Sequence, residues 1–412
     1  VALFNLILAA IMVASVIVTF VPIRRDPLTG TSFVAGWIIG ELAGQLTVLF
    51  IIIVAIVSSF GGTTGHLGRI ALVLDVVAVL GLVVLTIAGF TSQSSVERSL
   101  AATPGLPLEI PESIRRPKWG RWWRVVRSVP VPSSDLEIVK NVAYVNDGNK
   151  AHRLDIIKSK HVTEGAPVLL YIHGGAWVIG DKREQGKPMM FELAARGWVC
   201  VTANYRLSPK ATWPDHIVDV MAAIAWVKRN IADYGGDASF LAISGGSAGG
   251  HLCALAGLAN GDPAFQPGFE DADTSVDACV PIYGVLDMTA QHDIGGRYGS
   301  GLRILLEKQV MRASIDEQRE IFEQASPLHR IHADAPPFLV VHGANDTLVP
   351  VAVPRAFVPA LRRVSRQPVG YIELPLAQHA FDVLASPRCS AATRGIITFL
   401  EAIRARQELP GT

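Results

Sequence analysis

Phe240-Leu-Ala-Ile-Ser244 is a short apolar run of strand type, and Gly245-Gly246-Ser247-Ala248-Gly249-Gly250-His251 follows it directly. Helical spacing then runs over 248–259. A strand that ends in Gly-x-Ser-x-Gly and turns at once into a helix reads as a nucleophile elbow. The serine occupies a tight, strained turn, only small residues fit beside it, and its hydroxyl points up at the helix N-terminus. A phosphate-cradling loop is the competing reading of so many glycines. No Lys stands at the Walker position, and the glycine spacing of dinucleotide-binding loops is absent.

Working outward, apolar stretches of strand length recur at 136–145, 152–158, 167–172, 198–204, 279–283, 337–342 and 370–374. Helical patterns lie at 214–232, 351–362 and 391–405. This alternation predicts an α/β fold with a mostly parallel central sheet covered on both faces. Ligands of such sheets gather at the strand ends. His173-Gly174-Gly175-Ala176-Trp177 stands at one of them, straight after 167–172. Acyl transfer builds negative charge on the former carbonyl oxygen, and backbone N–H groups aimed at it are worth roughly 3 kcal/mol each. Gly174, Gly175 and Ala248 are the expected oxyanion donors, within one residue, and His173 is read as structural.

Ser247 needs a base and an acid to orient that base. His379 follows the last strand and Asp346 the one before it, so the chain order is Ser247, Asp346, His379, as this architecture requires. His251 is four residues beyond Ser247 and faces away from an elbow serine, which suits packing or structural hydrogen bonding. His329 and His332 are weaker candidates. Asn345 carries no charge, and Glu373 falls within a strand. No facing carboxylate pair suggests a glycosidase. The four cysteines, Cys200, Cys253, Cys279 and Cys389, show neither metal nor disulfide spacing and fit a reducing compartment. No metal or organic cofactor is expected.

On these residues the chain from about 135 to 408 resembles the α/β-hydrolase superfamily, and within it carboxylesterases similar to hormone-sensitive lipase. His173-Gly-Gly-Ala-Trp177 matches that group's oxyanion motif, and Asn204-Tyr205-Arg206-Leu207-Ser208-Pro209 its Tyr-Arg-Leu-x-Pro block. The elbow departs from the pattern: Gly246 stands where that group has Asp. Gly-x-Ser-Ala-Gly-Gly-His, through His251, also resembles the kynurenine formamidase branch. The resemblance implies a serine esterase or lipase, with an aryl-formamidase or an acyltransferase on the same triad as alternatives. A catalytically inactive membrane scaffold is the alternative of another class.

The front of the chain differs in kind. Only Arg24, Arg25, Asp26, Glu41, Arg69 and Asp75 are charged in residues 1–90, whereas the whole 412-residue chain is 18% charged with a net charge of +1. That balance gives no sign of a nucleic-acid partner. Apolar runs at 1–20, 33–58 and 67–90 each reach the roughly 20 residues that cross a bilayer. Three transmembrane helices are expected, and the combination resembles membrane-bound esterases of actinobacteria. A cleaved signal peptide would explain the first run alone, and it lacks a basic leading region. Arg24 and Arg25 lie between runs one and two. Arg98, Arg115, Arg116, Lys118, Arg121, Arg124 and Arg127 follow run three. The positive-inside rule therefore places the N-terminus outside and the catalytic part in the cytoplasm of a multi-pass cell-membrane protein.

Three parts are expected: a transmembrane domain at 1–90, a linker at 91–130 and a catalytic domain at 131–412. In the linker, Lys118–Arg127 interleaves Trp119, Trp122 and Trp123 with basic residues, which reads as a short interfacial helix or as a surface helix packed on the catalytic domain. Gly36, Gly40 and Gly44 form a small-xxx-small face for another span of this chain or of a second copy, a homo-oligomer contact in the latter case. Glu41 and Asp75 are costly in hydrocarbon and read either as a functional path or as interior packing. Segments 178–194 and 284–326 are expected to cover the pocket. The second carries Met288, Ile294, Leu302, Leu305, Leu306, Val310 and Met311, an apolar set that suits an acyl chain or ordinary core packing. Membrane attachment points to a hydrophobic ester or lipid substrate and to membrane lipids as partners.

Overall fold

The computed structural model describes residues 1–25, 27–106, 128–289 and 301–408. The Trp-rich segment Lys118–Arg127 and Ile294 lie outside the described residues. Four helices come first: α1 (Ala2–Phe20), α2 (Thr29–Glu41), α3 (Ala43–Ser59) and α4 (Gly65–Ala101). Eight strands follow: β1 (Leu136–Ala143), β2 (Arg153–Ser159), β3 (Ala166–Ile172), β4 (Val199–Ala203), β5 (Gly236–Gly246), β6 (Ala278–Ile282), β7 (Phe338–Gly343) and β8 (Val369–Leu374). Among them run α5 (Lys187–Ala194), α6 (Asp215–Asn230), α7 (Ala248–Leu258), α8 (Gly301–Leu305), α9 (Arg319–Gln324) and α10 (Ala352–Val364), and α11 (Pro387–Glu408) ends the described chain.

The strands form one sheet of order β1-β2-β4-β3-β5-β6-β7-β8. β2 is antiparallel to both of its neighbours, and every other pair is parallel. All seven residues of β3 are buried, as a central strand covered on both faces requires. Val168, Leu170 and Ile172 pack with α6, α7 and α10 on one face. Leu169 and Tyr171 pack with α5 and α11 on the other. This is the α/β-hydrolase fold. All four cysteines are free and buried.

The apolar front end departs from three straight spans. α1 and α4 are each long and apolar enough to cross a membrane, but α2 and α3 meet at 87°. The break falls at Leu42, directly after Glu41. A carboxylate cannot be left in hydrocarbon, and this one is held by residues of the catalytic domain. Arg388 Nη1 donates to Glu41 Oε1 at 2.5 Å, and Ser386 Oγ donates to Oε2 at 2.5 Å. Asp75 is buried inside the bundle and accepts from Asn5 Nδ2 at 2.9 Å. Both acids are thus buried beside a partner from this chain.

Of the two partners open to the glycine face, the structure uses this chain itself. Gly36 abuts Gln378, Gly40 abuts Thr19 and Arg388, and Gly44 abuts Thr86. The third apolar run ends at Phe90, yet α4 continues to Ala101 for 37 residues. That is about 56 Å at 1.5 Å per residue, far beyond a hydrocarbon layer of about 30 Å. The extension is structural: Val96 and Leu100 are buried with Ile372, Leu374 and Ile396 of the sheet and α11. Polarity ends the span at Phe90, while tertiary packing carries the helix on.

Candidate active site

Ser247 lies between β5 and α7 with φ 56° and ψ −119°. A non-glycine residue there is strained and persists only where its surroundings hold it. Ser247 N donates to Ile282 O at 3.0 Å, and His251 N donates to Ser247 O at 2.9 Å. From Leu241 to Gly250, Ser247 is the one residue not fully buried. Its neighbours must be small because backbones meet around it. A Cβ on Gly249 would sit 2.1 Å from Ile172 O. A Cβ on Gly246 would meet the Tyr283 hydroxyl at 2.9 Å and the Tyr171 hydroxyl at 3.2 Å. Those two phenols explain why Gly replaces the Asp of the related pattern. Tyr283 donates in turn to Asp382, and burial pushes the Asp382 carboxyl above its usual range.

Asp346 and His379 converge from the loops after β7 and β8. His379 Nδ1 donates to Asp346 Oδ2 at 2.7 Å, while Asp346 Oδ1 accepts from Leu348 N at 2.8 Å and Val349 N at 2.9 Å. Burial alone would raise the Asp346 carboxyl. His379, its hydrogen bond, His342 and the Val349 amide together hold it below its usual range. The His379 ring lies 4.4 Å from that of Tyr283, the residue next to the Ile282 carbonyl that anchors Ser247. The loops thus bring all three expected members to one strand-end edge. Among the described residues no hydrogen bond joins Ser247 Oγ to His379, and such contacts commonly tighten only with substrate bound.

Gln378 is a contributor that sequence reasoning missed. Its Oε1 accepts from Thr347 N at 2.7 Å and from His379 N at 2.9 Å, tying the acid loop to the base loop. Only its place beside His379 signalled it. The membrane helices also reach this site. Asn345 Nδ2 donates to Thr19 O at 2.7 Å, and Trp37 Nε1 donates to Ala380 O at 2.9 Å. The Phe33 ring lies edge-on to His379 at 6.3 Å.

The loop after β3 presses on the serine: a Cβ on Gly174 would come within 3.0 Å of Ser247 Cβ. Gly174 N donates to Gln185 Oε1 at 2.8 Å, so that expected oxyanion donor is already engaged. Gly175 has φ +117°, and Ala248 begins α7, where first-turn amides have no partner within the helix. His173 is structural in this arrangement. It is buried, stacks on Tyr205 at 4.6 Å, and its carbonyl accepts from the Tyr205 hydroxyl at 3.1 Å. The Tyr-Arg-Leu block thereby braces the oxyanion loop, and Arg206 anchors the block to Asp219 at 2.7 Å. Met288, Leu306, Val310 and Met311 belong to the core cluster over α6 and α7.

His251 is buried beneath the elbow, donates Nε2–H to Ala325 O at 2.7 Å and lies against Trp177 at 5.2 Å. Burial lowers its pKa to about 4. The unfolded chain takes up that proton first, near pH 6.5. Stability from this group is complete above about 6.5 and is lost as pH falls toward 4, about 2 kcal/mol by pH 5. In His251→Gln, which keeps an N–H donor, the drop in melting temperature between pH 7 and pH 5 shrinks by several degrees. An unchanged drop in detergent-solubilised protein would refute this.

Comparison with known proteins agrees with the geometry. Residues 154–361 match the BD-FAE family. The chain is 41% identical to the probable carboxylic ester hydrolase LipM of Mycobacterium tuberculosis, over 98% of this chain and 94% of that one. Esterase LipQ of the same organism is 47% identical over 63% of this chain and 61% of its own length. Among solved structures, a truncated carbohydrate esterase from gut microbiota superposes with a TM-score of 0.57 at 26% identity, covering 66% of this chain and 99% of that one. Esterase B from Lactobacillus rhamnosis, at 17% identity and a TM-score of 0.58 over 76% of this chain and 98% of its own, shares the fold. The chain belongs to the BD-FAE family and is a serine-type carboxylic ester hydrolase of α/β-hydrolase fold, with apolar helices at its front long enough to span a membrane.

Proposed function

We propose that Ser247 is the nucleophile, His379 the general base and Asp346 the residue that orients it. The observation that carries this is the buried 2.7 Å bond between His379 and Asp346 at the strand-end edge that presents Ser247. His379 takes the Ser247 proton as Oγ attacks the acyl carbonyl, then returns it to the leaving alcohol. Water activated by the same histidine releases the acid. The oxyanion is held by amides of Gly174, Gly175 and Ala248. Gly175 and Ala248 serve without any side-chain movement, and Gly174 joins them when Gln185 swings away. The His173 and Tyr205 blocks support a place beside carboxylesterases similar to hormone-sensitive lipase.

The substrate in this reading is a hydrophobic or lipid ester delivered from the membrane. Phe33, Trp37 and Thr19 of the apolar front end touch the loops that carry His379 and Asp346, which supports access from that side. α2 lies along the catalytic domain from Phe33 to Glu41, so α1, α3 and α4 serve as three spans. α1 then enters from the far side, α3 leaves and α4 returns. This supports an N-terminus and a catalytic domain, from about residue 131, on opposite sides, and the basic residues flanking the runs favour the cytoplasm for the catalytic domain. A fluorophosphonate with a charged, membrane-impermeant reporter tests both parts. It is expected to label the Ser247 peptide in permeabilised cells and not in intact ones. Labelling in intact cells would overturn the orientation, and no labelling of Ser247 in either would overturn the nucleophile.

A further inference from the structure

The bent α2–α3 pair, α4 and the first turn of α11 enclose a cavity of about 460 Å³. That falls within the roughly 300–1,000 Å³ of small-molecule sites. Its walls are apolar, built by Val48, Leu49 and Ile52 of α3 and by Leu85 and Phe90 of α4. Val48, Leu49, Ile52 and Phe90 are also at least half exposed on the bundle surface that hydrocarbon covers, so a lipid chain can enter sideways from the bilayer. One end is polar and is formed by Glu41, Ser386 and Arg388.

Arg388 is 1% exposed. Its Nη1 donates to Glu41 Oε1 at 2.5 Å and to Gly40 O at 3.2 Å. Among the described residues its Nε and Nη2 have no hydrogen-bond partner, and both are covered, so a carbonyl entering from the cavity reaches them only as the guanidinium turns toward it. Buried donors are almost always paired, and these two form one edge of a planar fork that suits a single acceptor group. Charge selects the acceptor. Glu41 already neutralises the guanidinium, and a second anion would leave an uncompensated charge away from water. A neutral carbonyl satisfies both donors without adding charge.

We propose that this cavity binds a neutral ester lipid of the diacylglycerol type, one acyl chain lying between α3 and α4 and an ester carbonyl accepting from Arg388 Nε and Nη2. The site is distinct from the Ser247 site. Along α2 it lies eight residues, about 12 Å, from Phe33, the ring beside His379. The Ser386 hydroxyl is engaged by Glu41, so the lipid is held there and not cleaved.

The probe is a diacylglycerol with a diazirine in one acyl chain, added to full-length Ser247→Ala protein in nanodiscs of phosphatidylcholine. Photolabel is expected on the peptides holding Val48–Ile52 and Leu85–Phe90, and unlabelled dioleoylglycerol should displace it at least tenfold better than oleate or phosphatidate. Arg388→Lys keeps a cation opposite Glu41 but loses the fork, and Val48→Trp narrows the cavity. Each should cut labelling at least fivefold. The same two substitutions in the Ser247 background should leave fluorophosphonate labelling intact, which shows that the fold survives. Label spread evenly over α1, α3 and α4 and unaffected by either substitution would overturn the site. Stronger displacement by oleate or phosphatidate would overturn the neutral-ester assignment.

Discussion

Asp346→Asn is expected to lower kcat for a short aryl ester about 10,000-fold with little change in KM. The hydrogen bonds around Asp346 give the reason. Its Oδ1 accepts from two backbone amides, Leu348 N and Val349 N. In the Asn variant those amides keep the side-chain oxygen on their side, so the new NH2 faces His379. The ring must then accept at Nδ1 and carry its proton on Nε2. Nε2 is the atom that has to receive the Ser247 proton, so the variant is shape-preserving and wrong in tautomer. Asp346→Ala removes the false donor as well as the acceptor, and is expected to be no worse than Asp346→Asn despite deleting more atoms. Initial rates in detergent micelles, with folding followed by fluorescence, measure both. A loss smaller than tenfold in a folded Asp346→Asn protein would refute the role given to this carboxylate.

Much of that site was legible in the sequence because its determinants are local. A serine in a strained turn demands glycines on either side, a helix must follow it, and short apolar strands mark the sheet whatever lies elsewhere. Ser247, Asp346 and His379 each stand just past a strand end, and strand ends were readable. Gln185 was not, because its bond to the Gly174 amide depends on how the segment after β3 folds back. The membrane part shows the same division. Hydropathy sums residues over a window and has no sense of direction, so 33–58 looked like one span although the chain turns by 87° within the run of apolar sequence from 29 to 59. Beside that turn stands a pair 347 residues apart, Glu41 and Arg388. Gln93 and Arg394 likewise bond at 2.5 Å across 301 residues, which sequence spacing cannot reveal. Composition set an apolar front apart from the rest of the chain, but gave no sign that α2 and the end of α4 pack against the residues that carry the sheet.

That long-range pair carries the other large effect. Glu41→Ala is expected to destabilise the protein by about 3–5 kcal/mol, because it leaves a buried guanidinium without its counter-charge. Among the described residues Glu41 is the one ion-pair partner of Arg388. The damage should not stay in the membrane. Arg388 lies in the first turn of α11, and Ser386 precedes it on the segment leading back to His379. A melting temperature lower by roughly 5–10 °C should therefore be matched by equally early loss of ester turnover on warming. The double variant Glu41→Ala with Arg388→Met is expected to recover part of the loss, since it leaves no uncompensated buried charge, while the volume that Ala leaves unfilled keeps a residual cost. Strong non-additivity between the two positions is the signature of direct coupling. A functional proton path through Glu41 predicts the opposite pattern, with no rescue by Met and no shift in melting temperature. If Glu41→Ala melts like the wild type, the clamp between the membrane helices and the catalytic domain lies elsewhere.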